Sequence, residues 1–454
     1  MRHALLLLLL ITTLCSTAQD IPNSHDREIV FLSVNVIPMN KETILHNQTV
    51  VIKNGRVTSI GDAAKIKYNK NALVIDAKGK YLIPGLAEMH AHVPPIDNIE
   101  PMKDILLLFA SRGVTTIRGM LGHARHLELR SKIQSGEILG PRFYTSGPSL
   151  NGNSVKSPAQ AADSVRSQKN AGYDFMKLHP GLTKETFAAI VQTAKEVNLP
   201  FAGHVSYDVG VWRAIEAGYA TIDHLDGFVE SLVPGIENIS EQDNGIFGIF
   251  SSEKADTSRI ANLMRALREK NIWVVPTQAL AERWFAPDKD PESFRNEPEM
   301  VYMSPNTINA WVNSKKNFMS HPKYNPPSVT RFIELRRKLI KACSQYGVGL
   351  LLGSDAPQVF DVPGFSIHHE LRYMVEAGLT PYQALRMGTA NVGRFYNNPD
   401  MGIIANGALA DLVLLNGNPL TDIHQTNNID GVMLNGKWLS KEWIATTLKK
   451  LEKK

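Results

Sequence analysis

The segment from Gly85 to His92 contains two histidines, His90 and His92, that are separated by a single residue. On a β-strand this spacing directs both imidazoles to one face, where they can share a metal ion. The apolar run from Tyr81 to Leu86 precedes the pair, as expected for a buried strand. The pair alone is equally typical of a solvated strand face, so other residues must distinguish the two interpretations.

Four more residues with metal-binding side chains each follow a short apolar segment. Taken singly, the histidines are as well explained by packing in the core, and the lysine by a place on the surface. Together with the histidine pair they make six metal-binding groups at strand-like ends, which chance does not explain. The four residues are Lys177, His204, His224 and Asp355.

The middle of the chain alternates strand-like and helix-like segments at the spacing of βα units, which require a parallel sheet. Eight such strands predict an α/β fold of the closed (β/α)8 type. Because parallel strands bring their C-terminal ends to one face, such a barrel gives all six residues a common location. The predicted strands are Tyr81–His90, Thr115–Met120, Arg142–Ser146, Phe175–Leu178, Phe201–His204, Thr221–His224, Trp273–Thr277 and Gly349–Asp355.

Short β-type runs with hairpin signals such as Asn54-Gly55 and Asn435-Gly436 occur at both ends of the chain. We interpret them as one small β-sandwich domain assembled from residues 26–83 and 403–445. The barrel then occupies residues 84–402, and residues 446–454 form the basic end of a C-terminal helix.

Residues 1–18 have the pattern of a secretory signal peptide, with Arg2, an apolar run and a small-residue cleavage site ending at Ala18. Leu14 before Cys15 argues against lipid attachment. We therefore expect a secreted or periplasmic protein, and cleavage leaves Cys343 without a disulfide partner. The composition, 43% hydrophobic and 20% charged over 454 residues, is that of a globular enzyme. No basic block precedes the last helix, so nucleic-acid binding is not expected, and the oligomeric state stays open.

The order of these six residues on barrel strands, with a sandwich built from both termini, resembles the amidohydrolase superfamily. Within it, the chain is similar to the imidazolonepropionase-like and prolidase-like branch. The motifs that carry this resemblance are Ile83-Pro-Gly-Leu, Gly113-Val-Thr-Thr-Ile-Arg, Gly349-Leu-Leu-Leu-Gly-Ser-Asp and Ala408-Leu-Ala-Asp-Leu-Val.

The resemblance implies a binuclear centre with two divalent metal ions, for which zinc is the expected metal. His90, His92 and Asp355 would hold one ion, and His204 and His224 the other. Lys177 would bridge both after carboxylation by carbon dioxide, because a protonated ammonium cannot be a ligand. Asp355 would also serve as the catalytic general base and acid.

The implied activity is hydrolysis of a carbon–nitrogen bond by a metal-activated hydroxide, in a small substrate such as a dipeptide, an N-acyl amino acid or a cyclic amide. A mononuclear deaminase of the same fold is one alternative, although Lys177 argues against it. A non-catalytic binding protein is a second alternative, although an aspartate positioned to accept a proton argues against that.

Two further residues are candidates for substrate binding. Tyr207 follows His204 by three residues, and it resembles a tyrosine that contacts the substrate carbonyl in related peptidases. His368 lies in the segment after Asp355, which we expect on the active face of the barrel. Two insertions, residues 228–256 and 281–327, are expected to cover that face.

Overall fold

The computed structural model describes residues 21–453. The predicted signal peptide lies outside the described residues. Within the described part of the chain, no helix is long and apolar enough to cross a membrane.

The N-terminal portion consists of five strands, and a tight hairpin joins the second to the third. Asn54 and Gly55 have φ values of 52° and 69°, which is the backbone conformation that a two-residue hairpin turn requires. The hairpin signal in the sequence is thus confirmed. The strands are β1 (Ile29–Val36), β2 (Leu45–Lys53), β3 (Arg56–Asp62), β4 (Leu73–Asp76) and β5 (Tyr81–Pro84).

The middle of the chain alternates short buried strands with helices, as the sequence predicts. The elements are β6 (Leu86–Ala91), α1 (Glu100–Ser111), β7 (Val114–Gly119), α2 (Ala124–Gln134), β8 (Arg142–Thr145), α3 (Pro158–Ala171), β9 (Met176–Leu178), α4 (Lys184–Val197), β10 (Phe201–Gly203), α5 (Val211–Ala217), β11 (Thr221–Asp223), α6 (Phe228–Leu232), α7 (Glu241–Asn244), α8 (Ile260–Glu269), β12 (Trp273–Val275), α9 (Gln278–Phe285), α10 (Pro305–Met319), α11 (Pro326–Tyr346), β13 (Gly349–Leu350), α12 (Ser366–Glu376), α13 (Pro381–Met387) and α14 (Ala390–Phe395).

The strands β6 to β13 form two parallel sheets, one of three strands and one of five. At one edge the sheets are joined by parallel bridges between Ser146 and Phe175 and between Leu150 and Leu178. At the other edge, the amide of Met89 donates to the carbonyl of Leu352 at 2.8 Å. The two parallel sheets are thus in backbone contact at both edges.

The last predicted strand is shorter than expected, since β13 ends at Leu350 instead of Asp355. Beyond it, the amide of Leu352 donates to the carbonyl of Met387, which interrupts the ladder with β12. Asp355 itself has a φ of 71°, a left-handed conformation that a strand cannot contain. The backbone around Asp355 therefore does not continue the strand pairing of β13.

Strands from the two termini meet in a second layer. The C-terminal elements are β14 (Leu412–Leu415), β15 (Ile429–Leu434), β16 (Lys437–Ser440) and α15 (Lys441–Leu451). β14 pairs antiparallel with β5, and the eight terminal strands form one sheet. Its apolar cluster brings Phe31 against Trp438, with ring centroids 5.1 Å apart. Both ends of the chain thus contribute strands to one sheet.

Candidate metal centre

The structure brings the six predicted residues together at the C-terminal ends of the parallel strands. His90 lies on β6, Lys177 on β9, and His204 and His224 directly after β10 and β11. The ring of His224 lies 4.4 Å from that of His90 and 4.3 Å from that of His204, measured between centroids. The Lys177 Nζ atom lies 3.2 Å from His90 Nε2.

His90, His92 and Asp355 form the tightest group. Donor atoms of these three side chains all lie within 4.8 Å of one another. Asp355 Oδ1 lies 2.6 Å from His92 Nε2 and 3.5 Å from His90 Nε2. One cation could therefore contact two imidazoles and a carboxylate here, as in the predicted first metal position.

Each of three histidines has a second polar contact on the side away from the centre. His90 Nδ1 lies 2.9 Å from Asp223, His204 Nδ1 lies 3.0 Å from Asp226, and His224 Nδ1 lies 2.9 Å from Thr277 Oγ1. Such contacts fix the ring orientation and keep the Nε2 lone pair for a metal.

Sequence analysis did not identify these three contacts. Asp223 and Asp226 flank His224 in the chain, and Thr277 ends the predicted seventh strand. These positions near predicted strand ends were the only indication in the sequence that the three residues lie near the centre. They did not predict the contacts, because each histidine and its partner come from different strands.

Burial keeps the imidazoles neutral. The pKa values of His90, His204 and His224 are lowered well below the usual range, first because the rings are buried and then because of neighbouring charges, Lys177 among them. A neutral imidazole is the form that binds a metal. These histidines are therefore in the form needed for ligation at neutral pH.

Lys177 is fully buried, with no exposed side-chain surface. Among the described residues, no carboxylate lies within ion-pair distance of its Nζ atom. Burial lowers its pKa to about 8, although Asp223 and Asp355 act in the opposite direction. A buried ammonium without a close anionic partner is costly. The site therefore favours a form of Lys177 other than the free ammonium.

Gly203 makes room for this lysine. A Cβ atom at position 203 would lie 2.6 Å from Lys177 Cδ and 2.6 Å from the carbonyl oxygen of Leu178, and Gly203 has a φ of 118°. No other residue type fits that backbone and that space. The strand β10 thus accommodates the lysine side chain through a glycine one residue before His204.

The donor set fits two divalent cations. His224 Nε2 is buried and has no hydrogen-bond partner among the described residues, and a buried polar atom in that state calls for a ligand. Four imidazoles, a carboxylate and a lysine that can be carboxylated match the donors that zinc and similar metals accept. His90, His92, Lys177, His204, His224 and Asp355 are the residues that would hold them.

His224 and Asp355 both have left-handed backbones, with φ values of 63° and 71°. For residues with a Cβ atom this conformation costs about 1–2 kcal/mol each. Arg336, which is buried, donates from Nη1 to the carbonyl oxygen of His224 at 2.7 Å. Surrounding contacts thus stabilise a conformation that directs both side chains inward.

The centre opens into a cavity of about 1010 Å³ that His204 and Asp226 line. Tyr207 also lines this cavity. Its hydroxyl donates to the carbonyl oxygen of Ile239 at 2.7 Å. In this structure Tyr207 therefore holds residues 236–239 in place, so a direct contact with a substrate carbonyl would require exchange of that bond.

The predicted role of His368 in substrate binding is not supported. Its Nδ1 atom lies 3.0 Å from Thr426 Oγ1, and its Nε2 atom lies 3.1 Å from the carbonyl oxygen of Arg112. Both ring nitrogens are thus engaged by protein groups, and the side chain is buried. His368 follows Asp355 in the sequence, but the structure places its ring between the C-terminal end of α1 at Arg112 and the turn at Thr426.

Two other histidines near these residues have distinct surroundings. His369 pairs with Glu299 at 2.7 Å and does not join the centre. The ring of His179 stacks on that of His204 with centroids 4.8 Å apart. Burial, together with Lys177 and His204, lowers the pKa of His179 to about 2. His179 is therefore a neutral neighbour of the centre.

The sequence profile of the Amidohydrolase family matches residues 81–439. The ochratoxinase of Aspergillus niger is 23% identical over 419 residues, which cover 84% of this chain and 79% of that protein. The imidazolonepropionase of Idiomarina loihiensis is 22% identical over 388 residues, which cover 82% and 86% of the two chains.

A putative prolidase from Bifidobacterium longum has a similar structure, with a TM-score of 0.69 at 20% identity over 95% of this chain and all of that chain. At that identity the likeness concerns the fold. The profile match covers most of the chain and includes all six residues of the centre. The chain therefore belongs to the Amidohydrolase family, as its sequence predicts, and is a hydrolase of carbon–nitrogen bonds.

Proposed function

We propose that this protein is a binuclear metal-dependent amidohydrolase that cleaves an amide bond in a small substrate such as a dipeptide, an N-acyl amino acid or a cyclic amide. The observation that carries the proposal is the convergence of four histidines, Lys177 and Asp355 on one buried point beside a large cavity. The names of the relatives support it, because prolidases and ochratoxinase are named for hydrolytic activities.

Two divalent cations held at this centre, with zinc as the expected metal, would lower the pKa of a bound water to about 7 and polarise the substrate carbonyl. Carboxylation of Lys177 fits its surroundings. The neutral amine of Lys177 adds to carbon dioxide and releases one N–H proton to the solution, and the carbamate anion that forms lies among imidazoles. The lowered pKa of Lys177 increases the neutral fraction that can react with carbon dioxide.

Asp355 is the proton carrier in the proposed reaction. Its Oδ1 atom faces the imidazoles of His92 and His90, so the carboxylate lies where an attacking water would approach. It accepts the proton of that water as the carbon–oxygen bond forms. It then donates the same proton to the amide nitrogen as the carbon–nitrogen bond breaks. No serine or cysteine nucleophile is required.

The scaffold in this proposal is one closed (β/α)8 barrel, residues 84–402, with a β-sandwich domain from the two termini. The bridges at both edges of the two parallel sheets support the barrel. We further propose a secreted or periplasmic protein, on the basis of the signal-peptide pattern of residues 1–18.

The test uses the full chain, loaded with zinc in bicarbonate buffer and assayed by mass spectrometry against dipeptides, N-acyl amino acids and cyclic amides. Adenine and similar aminopurines serve as the deaminase panel. We expect new amine and carboxylate products from at least one amide and no ammonia from the purines. Asp355→Asn should abolish cleavage. Ammonia release without amide cleavage would establish the deaminase alternative instead.

A further inference from the structure

The cavity beside the metal centre is lined by more acidic than basic side chains. Among the described residues, its lining contains five acidic residues and two basic ones, Lys184 and Arg259. Lys184 Nζ lies 3.3 Å from Asp208, and Arg259 Nε lies 3.5 Å from Asp256. Both basic groups are therefore already paired at the rim. The acidic residues of the lining are Asp208, Asp226, Glu230, Glu237 and Glu241.

Of the two carboxyl oxygens of Glu230, one accepts a hydrogen bond and the other has no hydrogen-bond partner among the described residues. Asn244 Nδ2 donates to Glu230 Oε1 at 2.9 Å and fixes the carboxyl group. Glu230 Oε2 is shielded from solvent and has no hydrogen-bond partner among the described residues. Burial and the nearby charge of Asp226 raise the pKa of Glu230 to about 7. Glu230 lines the cavity, so its carboxyl group has an oxygen without a hydrogen-bond partner close to the space that a ligand would fill.

The buried guanidinium of Arg336 already donates hydrogen bonds to other protein groups. Arg336 donates to the carbonyl oxygens of His224 and Pro276 and to the Gln278 side chain, and it is not part of the cavity lining. Within residues 21–453, the cavity thus offers no unpaired guanidinium or ammonium group for a substrate carboxylate. Its electrostatic complement is a cation.

Part of the cavity lining is apolar. The ring of Phe247 stacks 5.5 Å from that of His224, and Trp212 and Ile246 line the rim. These two rim side chains are 41% and 42% exposed, and they are among the few large apolar residues left open to solvent. Exposed apolar groups at the mouth of a polar cavity are typical of a binding surface for an apolar ligand group.

We propose that the cavity selects amide substrates that carry a protonated amine, which binds beside Glu230, and an apolar side chain, which packs on Phe247, Trp212 and Ile246. A peptide with a free amino terminus has this chemistry, whereas an N-acylated amino acid lacks the cation and carries an anion. Glu230 is then a specificity-determining residue. This inference rests on the proposed function, because it assigns the substrate of the same centre.

The test is a charge series on one peptide skeleton, given to the zinc-loaded full chain. L-leucyl-L-phenylalaninamide carries a positive charge, N-acetyl-L-leucyl-L-phenylalaninamide is neutral, and N-acetyl-L-leucyl-L-phenylalanine carries a negative charge. The kcat/KM for cleavage of the central amide is measured by mass spectrometry. For any probe that is not cleaved, the Kd is measured by calorimetry.

We expect the cationic probe to be preferred over the neutral one by about tenfold, the size of one modest charge interaction, and the anionic probe to be the weakest. Glu230→Gln keeps the shape of the side chain and should remove the preference. Glu196→Gln, an exposed acid outside the cavity that pairs with Arg166, is the matched control and should retain it.

The outcomes separate the two proposals. Cleavage with no charge preference, or with the reverse preference, overturns the assignment of the cavity and leaves the proposed function standing. A charge preference in Kd without cleavage of any probe supports the cavity and contradicts peptide hydrolysis. A preference that survives in Glu230→Gln overturns the role of Glu230. Absence of both binding and cleavage overturns the cavity assignment and peptide hydrolysis together.

Discussion

The metal centre and the cavity wall, residues 227–250, lie side by side but are built differently. The centre takes its side chains from the ends of four buried strands and from Asp355, which lies beyond the end of β13, and three of its imidazoles have a polar contact behind them, with Asp223, Asp226 and Thr277. The wall consists of short helical turns with exposed acids, and the Tyr207 hydroxyl donates to its backbone from outside the wall.

This difference separates two tasks. A parallel sheet fixes the positions of reacting groups, because its strands are held by ladders of hydrogen bonds and packed on both faces. A wall of turns can change its surface without disturbing that sheet. We therefore expect substitutions in the centre to affect metal binding and the chemical step. Substitutions in the wall should affect substrate affinity.

The largest expected effect comes from Lys177→Ala, which removes the proposed bridge. Metal content by plasma mass spectrometry should fall from about two ions per chain to one or fewer. The kcat/KM should fall by about 10³-fold, which corresponds to the several kcal/mol that a metal ion contributes. Lys195→Ala, on the exposed side of α4, is the control. Equal metal content in Lys177→Ala and the wild type would contradict the bridging role.

Asp226→Asn tests whether the contacts behind the histidines matter. The charge behind His204 is lost while the shape is kept, so zinc affinity should fall by about 10–100-fold. Competition with a chelator measures this change. Asp208→Asn is a close control, because Asp208 lines the same cavity but is exposed and pairs with Lys184. Similar losses of zinc affinity in the two variants would show that the effect comes from the overall negative charge of the cavity and not from the contact with His204.

The scaffold under both regions has a pH dependence of its own. His126 is buried, with Nε2 at 3.1 Å from the carbonyl oxygen of Pro94, and burial lowers its pKa from 6.5 to about 4. Between these values the unfolded chain binds a proton that the folded protein does not bind, so stability falls as pH falls below 6.5.

From pH 6.5 to pH 5 this group should lower the free energy of unfolding by about 2 kcal/mol. Urea denaturation at the two pH values measures the change. In His126→Gln that part of the loss should disappear, whereas the exposed His46→Gln should behave as the wild type does. An unchanged pH dependence in His126→Gln would assign the loss to other groups.

Tyr207→Phe gives the smallest expected effect and tests the wall directly. Loss of the hydrogen bond to the carbonyl oxygen of Ile239 should cost about 1 kcal/mol, which is roughly fivefold in KM. Zinc content should stay at the wild-type value. Tyr68→Phe, at an exposed position, is the control. A loss of zinc in Tyr207→Phe would mean that the wall also affects metal binding, which would contradict the separation of the two tasks.

The sequence by itself determined which residues make up the candidate metal centre. His90, Lys177, His204 and His224 each end a short apolar run, and chain order alone predicted that one sheet gathers them. The family follows from the same pattern, because residue type and strand position are local properties. The hairpin at Asn54-Gly55 was predictable for the same reason, since two residues suffice to set its turn.

Only the tertiary structure decided which groups stand behind and around that centre. Thr277 is the partner of His224 because β11 pairs with β12, and the segment after Asp355 takes His368 to Thr426 and away from the candidate metal centre. Glu230 became notable through its unused oxygen beside the cavity. Contacts between residues distant in sequence depend on how elements pack, and no local pattern of residues encodes them.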